Sequence, residues 1–418
     1  VCGAPNVAAG QKVVVATVGT TLYHGEEEFA IKKSKIRGVE SFGMICSEVE
    51  IGVGSSNDGI IVLPSDAPVG MPAAEYYHVE SDYCIEVDIT PNRVDATSHY
   101  GVARDLAASL KRNGVPAELK LPEVNLPTDI IDSRIEVKVA DATACPRYQG
   151  LVIRDITVGE SPEWLRNRLQ AIGLRPINNI VDITNYVLHE FGQPLHAFDL
   201  AFIKEDRVHV QTVAEGTPFV TLDGVERKLT AEDLMICDSN GDPMCVAGVF
   251  GGLHSGVTEK TKDVFLESAN FNSTMVRRTA RRLGLNTDSS FRFERGLDPE
   301  RTDWALRRAA SLILEITGGR LGGMTDVYPN PLKPHQICLS FEKVNSVIGR
   351  TIEPETVRSI LDSLEIRISK EEDGVMTLEV PRYRTDVTRD VDVIEEIMRI
   401  YGYNQVELTG YIRASLGH

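Results

Sequence analysis

The chain has 418 residues, too many for one ordinary hydrophobic core, so two to four domains are expected. Apolar residues make up 42% of the chain and charged residues 25%, a composition typical of globular proteins. The net charge of −17 excludes a protein that coats nucleic acid with its whole surface. Any contact with RNA must therefore be local, or be made together with a partner.

Cysteine usage and hydropathy indicate the redox environment of the chain and whether it enters a membrane. The 7 cysteines are scattered without a CxxC pair, which argues against a disulfide framework and a structural zinc site and favours a reducing, cytoplasmic setting. No apolar run approaches the length of a membrane span, and no signal peptide is recognisable. The chain starts at Val1 rather than Met, so we expect a piece of a longer protein with an incomplete first domain.

Residues 1–77 have short apolar runs between glycine-marked turns, which predicts β-strands. A basic cluster lies in this segment, at Lys32, Lys33, Lys35 and Arg37. Two interpretations of the cluster stay open. It can contact RNA, or its lysines can guard a solvated edge strand against pairing with another chain.

Residues 78–133 have a different pattern, with a predicted helix and a linker. A strand and a turn at Pro91-Asn92-Arg93 precede a predicted helix that Leu106 and Leu110 anchor. The proline-containing stretch 121–133 is typical of a linker.

Residues 134–328 interleave strand-like runs with helical patterns. This mixed order predicts an α+β domain rather than a doubly wound sheet. Residues 333–408 form a second, smaller α+β pattern that closes with an acidic amphipathic helix. The helices of the larger domain are predicted at 161–172, 179–191, 273–284 and 299–317.

The stretch 174–199 combines an amphipathic helix with a polar turn. Asn178 or Asn179 can cap the helix, and Gly192 ends it. Thr184 falls inside the apolar face with Asn185 at its edge, so the pair can line a pocket. The alternative is a buried helix whose threonine bonds back to its own backbone.

Three further features carry possible chemistry. The run AGVFGG (247–252) permits close backbone approach to a ligand, although such a run alone is a weak signal. Glu267 lies in an apolar strand, where a carboxylate is costly unless it is paired or binds a ligand. On the helix 273–284, Arg277 and Arg281 stack one turn apart beside a second row of arginines, an arrangement suited to phosphates.

An acidic cluster lies near the end of the chain. Its oxygen-rich side chains suit Mg²⁺, and the alternative is a solvated acidic helix face. The cluster comprises Asp386, Asp390, Asp392, Glu395 and Glu396.

Long motifs of this chain resemble the bacterial phenylalanyl-tRNA synthetase β-subunit family. The resemblance to its tRNA-binding oligonucleotide-fold (OB) barrel lies in CGAPNV (2–7), residues 32–52 and residues 59–70. The resemblance to its B3/B4 editing domain lies in RPINN, VDITNY, GQPLHAFD, AGVFGG, FLESANF and TDSSFRFERGLDP. The terminal block resembles its B5 domain. The resemblance implies an α+β multidomain chain. Its parts would be a partial OB-type β-barrel at 1–77, a linking module and linker at 78–133, a mixed α+β editing domain at 134–328 and a small α+β B5 domain at 333–408.

The resemblance also implies a function, namely hydrolysis of tyrosine mischarged onto tRNA(Phe). Glu267 would accept a hydrogen bond from the tyrosine hydroxyl, and either His196 or an ordered water would serve the hydrolysis. The pocket wall would comprise Thr184, Asn185, Pro194, His196, Ala247 and Gly248, with Arg175 and Thr287 near its mouth. Ser289, where some members carry Ala, would narrow the pocket. The residues expected to bind tRNA are Lys32, Lys33, Lys35, Arg37, Arg277 and Arg281.

The family assembly implies partners and cofactors. The chain would support ATP-dependent charging of tRNA(Phe) by an α subunit in a cytoplasmic α₂β₂ tetramer, with no membrane or DNA partner. Mg²⁺ shared with the α subunit would be held by Asp386, Asp392, Glu395 and Glu396, weakly or not at all in this chain by itself. The alternative function is a non-catalytic tRNA-binding or assembly subunit with an inactive editing pocket.

Overall fold

The structure is a computed structural model that describes residues 2–24, 27–54, 56–79 and 82–406. Contacts divide it into two compact units, Val1–Cys84 and Ile85–His418. Within the described ranges, no helix combines the length and the apolar character that a membrane span requires.

The first unit consists of short antiparallel strand pairs. Its core is small, with Ala16, Ile31 and Cys46 at the centre. The sequence predicts a partial barrel, and in the described part of this unit the four ladders β1–β8, β2–β7, β3–β4 and β5–β6 do not close into one. The elements are β1 (Lys12–Val13), β2 (Val15–Thr17), β3 (Thr21–His24), β4 (Glu27–Ala30), β5 (Ser34–Ile36), β6 (Val39–Ser41), β7 (Gly43–Ile45), α1 (Glu48–Ile51), β8 (Val62–Leu63) and α2 (Ala73–Tyr76).

The second unit begins with a 3₁₀ turn, Val94–Ala96, and the helix α3 (His99–Arg112). The predicted anchor Leu106 is wrong, because its side chain is 55% exposed. The helix instead buries Arg104, which is 3% exposed and pairs with Glu365 at 3.0 Å. This ion pair of the buried Arg104, rather than Leu106, therefore anchors the helix here.

The larger domain is α+β, as the mixed pattern predicts, with two main sheets, the hairpin β13–β14 and a helical layer. The antiparallel order β11-β18-β10-β19 forms one sheet, and β17-β16-β15-β12-β9 forms the other. The strands are β9 (Glu136–Val139), β10 (Arg147–Arg154), β11 (Leu195–Asp199), β12 (Arg207–Thr212), β13 (Pro218–Val220), β14 (Glu226–Lys228), β15 (Leu234–Cys237), β16 (Pro243–Val246), β17 (Phe250–Gly251), β18 (Val264–Asn270) and β19 (Arg320–Val327).

The four-stranded sheet is buried on both faces. Phe198 and Phe265 point into an apolar core shared with the five-stranded sheet. Ala197 and Leu266, which alternate with them, point into a second core shared with helices. These helices and their neighbours are α4 (Glu163–Ala171), α5 (Asn179–Phe191), α6 (Ser273–Leu283), α7 (Asp288–Phe293) and α8 (Arg301–Thr317).

The predicted helix bounds hold best where local caps decide them. The Asn178 side chain accepts from the N–H groups of Ile180 and Val181 at 3.1 and 3.0 Å, and Gly192 ends α5 at φ +86°. The helix expected to start at Pro299 starts at Arg301 instead.

The last part of the chain packs three helices on a three-stranded antiparallel sheet, in the order β20-β22-β21. Ala108 of α3 belongs to this core, while Tyr100 of the same helix contacts Phe191 of α5, with ring centroids 5.2 Å apart. The predicted linking module thus contacts both domains. The elements are β20 (His335–Ser340), α9 (Phe341–Ile348), α10 (Pro354–Ser363), β21 (Arg367–Glu372), β22 (Val375–Val380) and α11 (Asp390–Tyr401).

Candidate active site

Strand register brings Glu267 and His196 together. Glu267 on β18 lies directly opposite His196 on β11 and opposite Gly150 on β10. A Cβ at Gly150 would lie 2.0 Å from the ring of Phe265, so this position requires glycine. Directly opposed residues in a ladder have neighbouring side chains. The carboxyl and the imidazole therefore share one face of the sheet, the face that packs on the five-stranded sheet.

Buried polar atoms gather on this face without partners. Glu267 is 5% exposed and Tyr148 is 0% exposed. Among the described residues, no group hydrogen-bonds the Glu267 Oε2, the His196 Nε2 or the Tyr148 hydroxyl. An unsatisfied buried polar group costs about 1–3 kcal/mol, so such groups are rare in native proteins and call for an explanation. A bound polar ligand is one such explanation.

Burial also sets the charges of this pair. It raises the pKa of Glu267 from 4.5 to about 8 and lowers the pKa of His196 from 6.5 to about 4. Both side chains are therefore neutral near pH 7. A neutral carboxyl offers one O–H donor as well as acceptor oxygens, so it can satisfy both the proton and the lone pairs of a hydroxyl ligand.

A glycine-rich turn faces these groups from the second sheet. A Cβ at Gly251 would lie 2.9 Å from Cε1 of His196. At Gly248, where φ is +69°, it would lie 3.0 Å from the rings of Phe271 and Phe293. Glycine is required here by close approach and by backbone conformation. The turn therefore forms a backbone wall beside the imidazole.

The start of α7 attaches to the same turn. The Thr287 hydroxyl donates to the carbonyl of Val249 at 2.8 Å, and the Ser289 hydroxyl donates to the carbonyl of Gly248 at 3.1 Å. Ala247 is buried beside them. The predicted pocket residues Ala247, Gly248, Thr287 and Ser289 thus form one cluster. In this structure the Ser289 hydroxyl is used to hold the turn.

The helix α5 lies on the opposite face of the sheet. Its residues Ile180 and Ile183 pack with Leu266, whose side chain points away from that of Glu267. The Thr184 hydroxyl donates to the carbonyl of Val181 at 2.7 Å, as the structural alternative expects. The described contacts do not join Thr184 or its neighbour Asn185 to Glu267, so their place in the pocket wall stays a prediction.

The remaining pocket residues have different surroundings. Pro194 is buried, and the preceding Gln193 donates from Nε2 to the carbonyl of Ala269 on β18 at 2.9 Å. Arg175 is exposed, in keeping with a position outside a pocket.

The basic cluster of the first unit lies on a hairpin. Arg37 and Gly38, at φ +49° and +85°, form the two-residue turn between β5 and β6. Lys32, Lys33, Lys35 and Arg37 are all exposed. Lys33 pairs with Glu40 at 3.1 Å and lies 4.8 Å from the ring centroid of Phe42. The exposed cations and aromatic ring fit RNA, and the lysine-rich edge equally fits protection against strand pairing.

The arginines of α6 divide into two sets. Arg282 pairs with the buried Asp233 and so has a structural role. Arg277 and Arg281 are exposed, and no ion-pair partner for either lies within the described ranges. The two arginines predicted to contact phosphates are thus accessible, and so is Arg278.

Within the described residues, most carboxylates of the acidic cluster pair with basic side chains. Asp386 accepts from Arg384 and from Asn92, the latter at 3.0 Å. Asp392 pairs with Arg389 at 2.8 Å. The side chain of Glu395 is exposed, whereas that of Glu396 is buried. No group of three or more metal-binding side chains occurs among the residues described.

Glu396 shows most clearly why the cluster does not fit Mg²⁺. Burial alone would raise its pKa, but the guanidinium groups of Arg384 and Arg399 lower it to about 2. Arg399 lies 2.7 Å from the Glu396 carboxylate and also pairs with Asp105 of α3 at 2.9 Å. These carboxylates are neutralised by arginines and join α3 to α11, so they are poor ligands for a divalent cation.

Sequence reasoning missed Tyr148, Gly150 and Gly251 as parts of the site. No local signal marks them, because their roles depend on which strands pair and in what register. The repeated glycines of AGVFGG were the only hint of Gly251.

Three family models match the chain: a tRNA binding domain at residues 1–72, a B3/4 domain at 144–318 and a tRNA synthetase B5 domain at 337–403. The phenylalanine–tRNA ligase β subunit of Porphyromonas gingivalis is 97% identical over 100% of this chain and 51% of its own length. The β subunit of Bacteroides fragilis is 60% identical over the same shares. That of Salinibacter ruber is 44% identical over 97% of this chain and 50% of its own length. The chain thus spans about half the length of the curated relatives it matches. From these three domains and the identity along the whole chain, we conclude that it belongs to the phenylalanine–tRNA ligase β-subunit family.

Proposed function

We propose that this chain hydrolyses tyrosine that has been mischarged onto tRNA(Phe), using the site around Glu267. The observation that carries the proposal is a buried, neutral carboxyl without a partner, placed opposite His196 and Gly150. Tyrosine differs from phenylalanine by one hydroxyl, and an apolar pocket rejects an added hydroxyl only about 100-fold. A second site that binds this hydroxyl reverses the preference.

The pairing of Glu267 with His196 bears on the role of the histidine. Side chains directly opposed in a ladder have Cβ atoms about 5 Å apart. If Glu267 binds the phenol hydroxyl, His196 lies at the same end of the ligand, a side-chain length away from the ester carbon. We therefore assign His196 to binding of the hydroxyl, and hydrolysis to an ordered water held near the ester.

The tRNA contacts of the proposal are local. Arg277 and Arg281 on α6 supply accessible positive charge in a chain whose net charge is −17. The hairpin cluster Lys32, Lys33, Lys35 and Arg37 is a second contact, with the lysine-guarded edge as its structural alternative. The arginines of α6 would bring the aminoacylated end of tRNA to the site.

The rest of the proposed assembly lies outside this chain. Activation of phenylalanine with ATP belongs to an α subunit, in an α₂β₂ tetramer of the cytoplasm. Mg²⁺ shared with α would require the arginines beside Asp386 and Glu396 to release their carboxylates.

Deacylation assays test the proposal. Wild type should release tyrosine from Tyr-tRNA(Phe) faster than phenylalanine from Phe-tRNA(Phe), and Glu267→Ala should abolish this preference. Glu226→Ala, which changes an exposed glutamate of the same domain, is the matched control. Equal rates for wild type and Glu267→Ala, in this chain and in the enzyme that contains α, would overturn the role of Glu267. No hydrolysis by wild type in either would favour the non-catalytic tRNA-binding or assembly subunit.

A further inference from the structure

We infer that Tyr148 is a third polar contact of the proposed site and that its hydroxyl, together with Glu267, binds the hydroxyl of the amino acid to be removed. The inference rests on the proposed function and adds a specificity-determining residue to it. Tyr148 lies on β10, opposite Ala269 and two residues before Gly150. Side chains alternate along a strand, so Tyr148 points to the same face as Glu267.

Distance and burial both favour this role. Diagonal neighbours in an antiparallel ladder lie about 7–8 Å apart, within reach of an aromatic side chain. Tyr148 is 0% exposed, and its hydroxyl has no hydrogen-bond partner among the described residues. A position that served only packing would bury a phenylalanine at lower cost, because an unpaired buried hydroxyl is destabilising.

The neighbouring thiols do not satisfy this hydroxyl. The Cys145 thiol donates to the carbonyl of Arg147 at 3.5 Å, and the Cys245 thiol donates to the carbonyl of Phe250 at 3.4 Å. Burial and the nearby Glu267 carboxyl raise the pKa of Tyr148 well above its usual value, so the phenol keeps its proton. It is available as a donor to a ligand.

The chemistry explains how two groups discriminate better than one. A tyrosine hydroxyl has one proton and two lone pairs, so it can accept from the Tyr148 phenol while it exchanges a second hydrogen bond with Glu267. Phenylalanine would leave both protein groups buried and unpaired. A site built to hydrogen-bond a hydroxyl rejects an analogue without it far more strongly than an apolar site rejects an added hydroxyl.

Tyr148→Phe tests the inference, since it removes one oxygen and keeps the ring. For this variant, kcat/KM for deacylation of Tyr-tRNA(Phe) should fall about tenfold, with kcat/KM for Phe-tRNA(Phe) unchanged. Tyr186→Phe is the matched control, because Tyr186 lies on α5 and its hydroxyl accepts from Arg168 at 2.9 Å. It should keep the wild-type preference for tyrosine.

Two results overturn the inference in different ways. If Glu267→Gln loses the tyrosine preference and Tyr148→Phe retains it, Tyr148 only packs and the proposed function stands. If wild type shows no preference for Tyr-tRNA(Phe), the proposed function fails and this inference fails with it. Urea unfolding of Tyr148→Phe checks folding, and it should be at least as stable as wild type because an unpaired hydroxyl is removed.

Discussion

Replacing Glu267 with glutamine should change how the stability of the chain depends on pH. The pKa of Glu267 is raised from 4.5 to about 8 in the folded protein, so the folded state holds a proton that the unfolded state releases above pH 4.5. Stability contributed by this proton is fully present below pH 4.5 and is lost as the pH rises to 8. The slope is about 1.4 kcal/mol per pH unit.

Histidines oppose this slope at lower pH. Burial lowers the pKa of both His196 and His189 from 6.5 to about 4, so the unfolded state binds more protons and stability falls as the pH drops below 6.5. Between pH 6.5 and 8 these histidines are neutral in the folded state, while the unfolded state loses its remaining histidine protons. This happens equally in wild type and in Glu267→Gln, so the difference between the two proteins isolates Glu267. The loss due to Glu267 over this window is therefore about 2 kcal/mol.

Urea unfolding at pH 6.5, 7.2 and 8 measures this loss. Tryptophan fluorescence is a suitable signal because the chain has only 2 tryptophans, and both Trp164 and Trp304 lie in the domain that contains the site. Across the window the unfolding free energy of wild type should fall by about 2 kcal/mol relative to that of Glu267→Gln. The exposed Glu226→Gln should follow wild type. Parallel curves for wild type and Glu267→Gln would refute a buried, protonated Glu267.

Three further predictions concern the support of the site and the acidic cluster. Gly150→Ala should destabilise the domain by about 1–3 kcal/mol in the same urea assay, because its Cβ would overlap the ring of Phe265. Gly159→Ala is the control, since its Cβ would meet nothing within 4 Å. Equal stabilities of the two variants would show that the strands around Gly150 can relax. Asp105→Asn and Arg399→Gln should show a coupling energy on the order of 1 kcal/mol in a double-mutant cycle, since their side chains are joined at 2.9 and 3.1 Å; strictly additive effects would contradict this junction. Calorimetric titration of the chain with Mg²⁺ should give no saturable binding, and a tight site would show that the arginines do not neutralise the acidic cluster.

Local features of the structure were predictable from the sequence, whereas the geometry of the site was only partly so. The start and end of α5 follow from Asn178 and Gly192, whose capping roles depend on residues next to them. Glu267 was conspicuous because a carboxylate in an apolar strand requires an explanation. Of its neighbours, His196 was expected only from the family resemblance, and Gly150 and Tyr148 were not expected. The strands β10, β11 and β18 come from separate parts of the chain, and only their register brings these residues together.

The error at Leu106 has the same physical origin, as does the part of the acidic cluster that the sequence did not reveal. Leu106 was expected to anchor α3 by apolar spacing, but ion pairs from other parts of the second unit hold this helix through Arg104 and Asp105. The spacing of the acidic residues on α11 was compatible with a metal site. It could not reveal that Arg384 and Arg399 lie against Glu396.

A crystal structure of this chain with bound tyrosine tests the central claim most directly. The account predicts the tyrosine hydroxyl within hydrogen-bonding distance of Glu267, on the face of the sheet that also carries His196 and Tyr148. A tyrosine bound elsewhere, or bound with its hydroxyl turned away from Glu267, would contradict the account.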